Sequence, residues 1–284
     1  MISPMNISIF AQPPYVLRHL QRVSTIIRGE QMAAYMQNAR LNPSSGYEND
    51  ICIYVKPHVK TDEDFKFEGH PYLDILDGFD LIHLLRKHED VPVIVYSELD
   101  VETISQYVKN KVIIIPHHHV NFERSVRDRK GIRKIGVIGS AGAFPFVPDQ
   151  IRQGLAERKI ELVEQSILYP RTSVTHFYKQ IDLQIVWRPY NLKNYATRPY
   201  RTLANPFKIV NTSSFGIPTI ALEEPPFKEM SGCYVPVNNV EEFFTALDNL
   251  RFDNDRYESI AKTCLQKAER YHIENIAKLY QALT

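Results

Sequence analysis

Between Trp187 and Lys208 the sequence carries Arg188, Lys193, Arg198, Arg201 and Lys208 with no acid among them, and Tyr190, Tyr195 and Tyr200 are interleaved. Cations without counter-charge, beside aromatic rings, suit a phosphate-rich ligand. A solvated loop with tyrosines packed beneath it is the competing reading. Arg188 and Lys208 each border a predicted core element, so they are the first candidates for diphosphate contacts, with Lys193 between them. A second lead is Gly139, Ser140 and Gly142, which follow a predicted strand. Backbone amides there, and the start of the next helix, could hold a diphosphate; a tight turn that needs glycine fits the same residues equally well. The third lead is His117, His118 and His119, which follow another predicted strand, with Glu123 just beyond. Three consecutive histidines cannot all point one way in an extended chain, so together they do not make a three-ligand metal site. One of them could serve as a base near neutral pH, oriented by Glu123, which could instead pair with Arg124; structural capping is the alternative.

The sharpest block is Asn205 to Glu224, NPFKIVNTSSFGIPTIALEE, where a predicted helix stops at Gly216 and Pro218 and a buried strand follows. By spacing alone it is an αβ junction. The arrangement of Lys208, Asn211, Gly216 and Pro218 resembles the nucleotide-sugar region of glycosyltransferases of the B fold, in particular the retaining group 1 type. The Gly-Cys-Tyr-Val-Pro-Val strand, the Val-Glu-Glu-Phe-Phe helix and the terminal helix are similar to that family's ending. The resemblance covers about Ile135 to Thr284. It implies that Asn211, with Thr212 beside it, stands where the family has the acid that binds the donor ribose, and an amide can also make such bonds. The family's second acid, eight residues earlier, would fall on Leu203 and is absent.

The elements that must position these residues are read from hydrophobic period. Apolar runs at Asn6 to Phe10, Asp50 to Lys56, Pro92 to Ser97 and Val112 to Pro116 predict four strands. Arg18 to Met36 and Tyr72 to Leu85 predict helices between them. Arg28, Gly29, Glu30 and Gln31 then fall on a solvated helix face, with the acceptor side as the sharper alternative. After a charged stretch the alternation restarts at Ile135, and strands near 135–140, 160–164, 183–187, 218–222 and 233–237 alternate with helices. A long helix, Asp255 to Leu283, bent near Tyr271 to His272, ends the chain. The expected fold is α/β, two Rossmann-like domains facing across a cleft: an acceptor-binding domain at 1–128 and a donor-binding domain at 129–284.

Composition excludes several classes. A net charge of +1 on 284 residues gives no overall reason to bind a polyanion. Cys52, Cys233 and Cys264 are scattered and outside any CxxC spacing, so neither a disulfide framework nor a zinc site is expected, and a reducing cytoplasm is. No run approaches the roughly 20 apolar residues of a membrane span; peripheral contact with a membrane stays open. Asp253-Asn254-Asp255 lies between two predicted helices, where capping explains it, and no metal is assigned.

The resulting expectation is a glycosyltransferase that uses a nucleotide-diphosphate sugar as substrate, needs no metal or further cofactor, and glycosylates a small molecule, glycan or glycolipid. A nucleic-acid acceptor is the lesser option. An epimerase or hydrolase of the same fold, and a nucleotide-sugar-binding protein without activity, are the alternatives.

Overall fold

The computed structural model describes residues 5–11, 15–16, 19–20, 23–60, 64–76, 78–139, 141–188 and 205–284. They form two compact units. The first holds the described residues up to His118, with Asn205 and Ile273–Thr284; the second holds those from His119 to 188 and Pro206–His272. Against the expected division after residue 128, the chain changes unit at 118/119, and its last twelve residues, Ile273–Thr284, rejoin the first unit.

In the first unit strand β1 (Ile7–Ala11) precedes a short antiparallel pair, β2 (Tyr15–Val16) and β3 (His19–Leu20). The expected first helix is present but irregular: α1 (Val23–Thr25), a π-helical stretch (Ile26–Gln31) and α2 (Met32–Tyr35). Then follow β4 (Ala39–Leu41), β5 (Ile51–Val55), β6 (His70–Asp74), α3 (Ile82–Lys87), β7 (Val93–Val95), α4 (Glu98–Ile104) and β8 (Val112–Ile114). The sheet is parallel, six-stranded, in the order β4-β1-β5-β6-β7-β8. Two of its strands were not expected. β4 is a short, mostly exposed edge. β6 lies inside the stretch read as a helix from Tyr72. A parallel strand buried on both faces has no alternation, and Tyr-Leu-Asp-Ile-Leu runs straight into the helical pattern beyond Gly78.

The second unit repeats the plan with β9 (Lys134–Ile138), α5 (Asp149–Glu157), β10 (Glu161–Gln165), α6 (Arg171–Gln180), β11 (Leu183–Val186), α7 (Phe207–Ser213), β12 (Thr219–Leu222), β13 (Tyr234–Val237), α8 (Val240–Phe252) and α9 (Asn254–Ala268). Its five parallel strands run β10-β9-β11-β12-β13. Ile135, Val137, Leu183, Ile185 and Ile220 bury against Ile151, Leu155, Phe243 and Leu247 to make its main core. α7 stops where the sequence required. Gly216 has φ +69°, a conformation that L side chains resist, and Ile217 N donates to Thr212 O at 3.3 Å to close the turn. The terminal helix breaks as expected. α9 passes through a 3-10 turn (Glu269–Tyr271) into α10 (Ile273–Gln281), which packs within the first unit. Asn239 and Asp253 cap α8 and α9 by accepting from Glu242 N and Arg256 N, so the Asp-Asn-Asp triplet serves as a cap.

Candidate functional site

In an open parallel sheet, ligands sit beyond the strands' carboxyl ends where the order reverses. In the second unit that point lies between β9 and β11, because the chain runs from β9 outward to β10 and then returns across to β11. Gly139 is the residue after β9, and Arg188 lies two residues beyond β11. Lys208, in the first turn of α7, reaches the same place. A methyl group built on Gly139 would come within 3.2 Å of Lys208 Nζ and 3.4 Å of Ala143 Cβ. Glycine is therefore what lets the amine lie against the end of β9. The lysine backbone is held from below: Thr212 Oγ1 donates to the Lys208 carbonyl at 2.7 Å and Gln184 Nε2 donates to the same oxygen at 3.3 Å.

Arg188 is held by Glu224, which follows β12. Arg188 Nε donates to Glu224 Oε1 at 3.0 Å, and Nη2 donates to Oε2. The arginine side chain is 47% exposed and the carboxylate 7%, so a buried acid steadies a cation that faces solvent. Burial pushes the Lys208 ammonium down to about 8; the Arg188 charge acts in the same direction and Glu224 opposes both. Among the described residues, two cations meet one acid here, and an ammonium whose charge burial disfavours gains by meeting an anion.

The other expected residues are distributed differently. Ser140 and Lys193 lie outside the described residues. Gly142 is exposed and a methyl group on it would touch nothing, so packing does not require glycine there. The segment after β9 is a 3-10 turn (Ala141–Phe146), and the helix expected near Val147 to Glu157 follows it as α5. Asn211 is buried, and its Oδ1 accepts from Val120 N at 2.9 Å. Thr212 is fully buried beneath Lys208. Both are committed to the second unit's interior.

The histidine cluster is buried too. His117 Nε2 is 2.9 Å from Tyr96 Oη, and burial, then the Arg28 charge, then His118, holds its pKa well below the ordinary histidine value. His118 Nε2 donates to Ile27 O at 3.0 Å. His119 Nδ1 accepts from Asn121 N at 3.2 Å, and its ring lies edge-on to His272. Each therefore has a ring nitrogen in a protein contact. Glu123 pairs with Arg171 through bonds of 2.6 and 3.0 Å, which hold its carboxyl below the usual value, while Arg124 pairs with Glu269. Neither expected pairing of Glu123, with a histidine or with Arg124, is the one formed.

Two residues central to these buried charge pairs were not anticipated. Glu224 entered only as the last residue of the block from Asn205; its place directly after a buried strand was the available signal. Arg28, expected on a solvated face, is 1% exposed and lies 2.7 Å from Asp74 Oδ2, the last residue of β6. Its Nη1 donates to Ile115 O and Pro116 O at 2.7 and 2.8 Å, and its guanidinium lies over the rings of Tyr96 and Tyr280. Burial works against the Arg28 charge, but Asp74 and the two tyrosines raise its pKa further. Burial also raises Asp74, and Arg28 pulls it back. An arginine does not lose its proton in a protein, so Arg28 faces Asp74 as a cation. Among the described residues no group of three or more His, Cys, Asp or Glu could hold a metal ion, and no described helix is long and apolar enough to cross a membrane.

No protein-family model matches the sequence, and no curated protein matches it in sequence. Solved structures do match in fold. HepE from Anabaena, in complex with UDP and glucose, is similar at a TM-score of 0.58 and 10% identity, over 96% of this chain and 97% of HepE. A single-site variant of S. aureus TarM, in complex with fondaparinux, α-GlcNAc-glycerol and UDP, is similar at 0.56 and 11%, over 82% of this chain and 55% of TarM. The pneumococcal O-GlcNAc transferase GtfA, in complex with UDP and GlcNAc, is similar at 0.50 and 13%, over 82% and 56%. The chain thus spans little more than half the length of TarM and GtfA and nearly all of HepE. At these identities the likeness concerns architecture: the chain shares the fold of these three proteins.

Proposed function

We propose that the protein is a glycosyltransferase of the B-fold type that transfers a hexosyl unit from a uridine-diphosphate sugar. One observation carries this reading: Lys208 Nζ lies against Gly139 where the second sheet's order reverses, with the Glu224-held Arg188 beyond the next strand. The fold shared with HepE, TarM and GtfA, each solved with UDP, supports the choice of nucleotide. In this reading the diphosphate takes the place beside Lys208 and Arg188, with Gly142, Ser140 and Lys193 as further contacts.

Negative charge grows on the leaving diphosphate as the glycosidic bond breaks, so two preplaced cations stabilise that moment more than the bound donor. They supply the charge that a metal would otherwise provide, and transfer is proposed to be metal-independent. The contacts made by His117, His118 and His119 leave the proposal without a protein base from that cluster. The acceptor proton then leaves to a donor phosphate oxygen, with the anomeric configuration retained, and the protein's part is to hold the reactants in place. A glycan or polyol hydroxyl is the proposed acceptor.

The test is thermal stabilisation by UDP, UDP-glucose, UDP-GlcNAc, GDP and ADP, since a ligand that binds only the folded state raises the melting point. A shift selective for uridine nucleotides that Lys208→Ala removes is the expected result. No shift with any nucleotide overturns the reading. Anomer analysis of the product by NMR then decides the stereochemical part.

A further inference from the structure

The diphosphate site proposed above contains an acid, and an acid beside a phosphate needs a reason. Glu224 is 5% exposed and ends the turn that leaves β12. A buried carboxylate is costly unless it is paired, and this one is paired along its whole edge, both oxygens accepting from the Nε and Nη2 side of Arg188. A two-bond contact of this kind fixes the plane of the guanidinium, which a single bond does not. Arg188 follows β11 on a short lead of one residue, Trp187, which is itself buried. Chain and acid together therefore leave the guanidinium little freedom.

The same carboxylate acts on Lys208. Among the described residues the charges that bear on Lys208 are Arg188, from beyond β11, and Glu224, from beyond β12; Gly139 faces it from the β9 side without charge. Arg188 makes it harder for Lys208 to stay protonated and Glu224 makes it easier. Without the acid, two cations would share a partly buried corner and the weaker base would yield its proton.

We propose that Glu224 is a positioning residue for the diphosphate site, fixing the Arg188 guanidinium and sustaining the positive charge of Lys208. This rests on the donor reading of the same site. Glu224 does not touch the ligand; it acts through the two cations. Its charge and its reach are separable. Glu224→Gln keeps the shape and loses the charge, whereas Glu224→Asp keeps the charge and draws the carboxylate away from Arg188.

The experiment is calorimetric titration of wild type and both variants with UDP, and separately with inorganic pyrophosphate, between about pH 6.5 and 9.5, a window that brackets the Lys208 value of about 8. In wild type, Kd is expected to rise through about pH 8 towards tenfold per pH unit, as binding comes to require uptake of one proton. In Glu224→Gln the rise begins about half a pH unit or more lower. In Glu224→Asp the midpoint stays and Kd rises by roughly three- to tenfold at every pH, the worth of about one hydrogen bond to a charged group. A merely structural role would lower the melting point without moving the midpoint. Glu224→Gln superimposing on wild type, or Glu224→Asp moving the midpoint as far as the glutamine does, removes the proposal while leaving the donor site standing. Absence of binding by wild type at any pH removes the donor reading itself, and Glu224's role with it.

Discussion

Replacing Arg28 by Met tests the buried charge cluster of the first unit. The substitution keeps much of the volume and removes the guanidinium, leaving Asp74, which is 0% exposed, without its partner. Breaking a buried ion pair from one side costs about 3–5 kcal/mol, because the remaining charge is stranded. Arg28 also donates to the carbonyls of Ile115 and Pro116, and bonds from a charged donor are worth about 1.5–3 kcal/mol each when measured singly. These contributions overlap, so the expected loss is about 4–6 kcal/mol rather than their sum, set against total stabilities of about 5–15 kcal/mol. The assay is urea unfolding followed by far-ultraviolet circular dichroism, because Trp187, the single tryptophan, belongs to the second unit.

Asp74→Leu alone is expected to cost about as much as Arg28→Met, and the double variant much less than the two together, giving a coupling of about 3 kcal/mol or more. A pH test accompanies it. In Arg28→Met the stranded Asp74 has a raised folded pKa, so the folded state binds a proton more tightly than the unfolded state, and stability should recover as pH falls from 7 towards 4.5. Additive single variants, or a loss under about 1 kcal/mol for Arg28→Met, would refute the reasoning.

Three further outcomes are expected. His117 has a folded pKa below its unfolded value, so stability should fall as pH drops below about 6.5, by up to about 1.4 kcal/mol per pH unit; His117→Gln, which cannot titrate, should flatten that slope. Gly139→Ala should raise the Kd for UDP by roughly fivefold, about 1 kcal/mol, with little change in melting point, because the new methyl meets the movable end of Lys208 at 3.2 Å; an unchanged Kd would contradict the placement of the amine. Asn211→Ala should lower stability by about 1–3 kcal/mol by orphaning the Val120 amide, and leave UDP affinity within about twofold; a loss of binding at unchanged stability would give Asn211 the ribose role after all.

The parts of the second unit that follow local rules could be read in advance. Gly216 ends α7 because only a residue tolerant of positive φ fits there; Gly139 was marked by the rule that strand ends face ligands, and Arg188 and Lys208 by bordering core elements in a stretch without acids. Arg28 could not be read, for two linked reasons. A charged residue on an amphipathic pattern implies solvent, and only a partner brought from elsewhere reverses that implication. That partner is Asp74, and the apolar run around it merged with the next helix, so the end of β6 was hidden. The histidines failed differently. Their position beyond β8 was read correctly, but Tyr96 and Ile27, which engage His117 and His118, come from two other places in the chain, and no spacing rule links them; Asn121, two residues on, engages His119.

The two units present a natural comparison, because each sets arginine against a buried acid at the carboxyl edge of a parallel sheet. In the first, Arg28 is 1% exposed and Asp74 0%; the tyrosine rings and two carbonyls complete the guanidinium's surroundings. Charge is balanced one to one, and nothing is left for a ligand to neutralise. In the second, Arg188 is 47% exposed over a 7% exposed Glu224, and among the described residues Lys208 adds a second cation without a second acid. The difference is one positive charge and an opening to solvent. Coulomb attraction between unit charges at 4 Å is about 1 kcal/mol in water and about 4 kcal/mol near a protein surface, so an excess cation in such a place has far more to gain from a phosphate than one on an open loop. The same pairing is closed in the first unit and open to solvent in the second, and that opening, beyond β11 and β12, is why the diphosphate is proposed there and not beside Arg28.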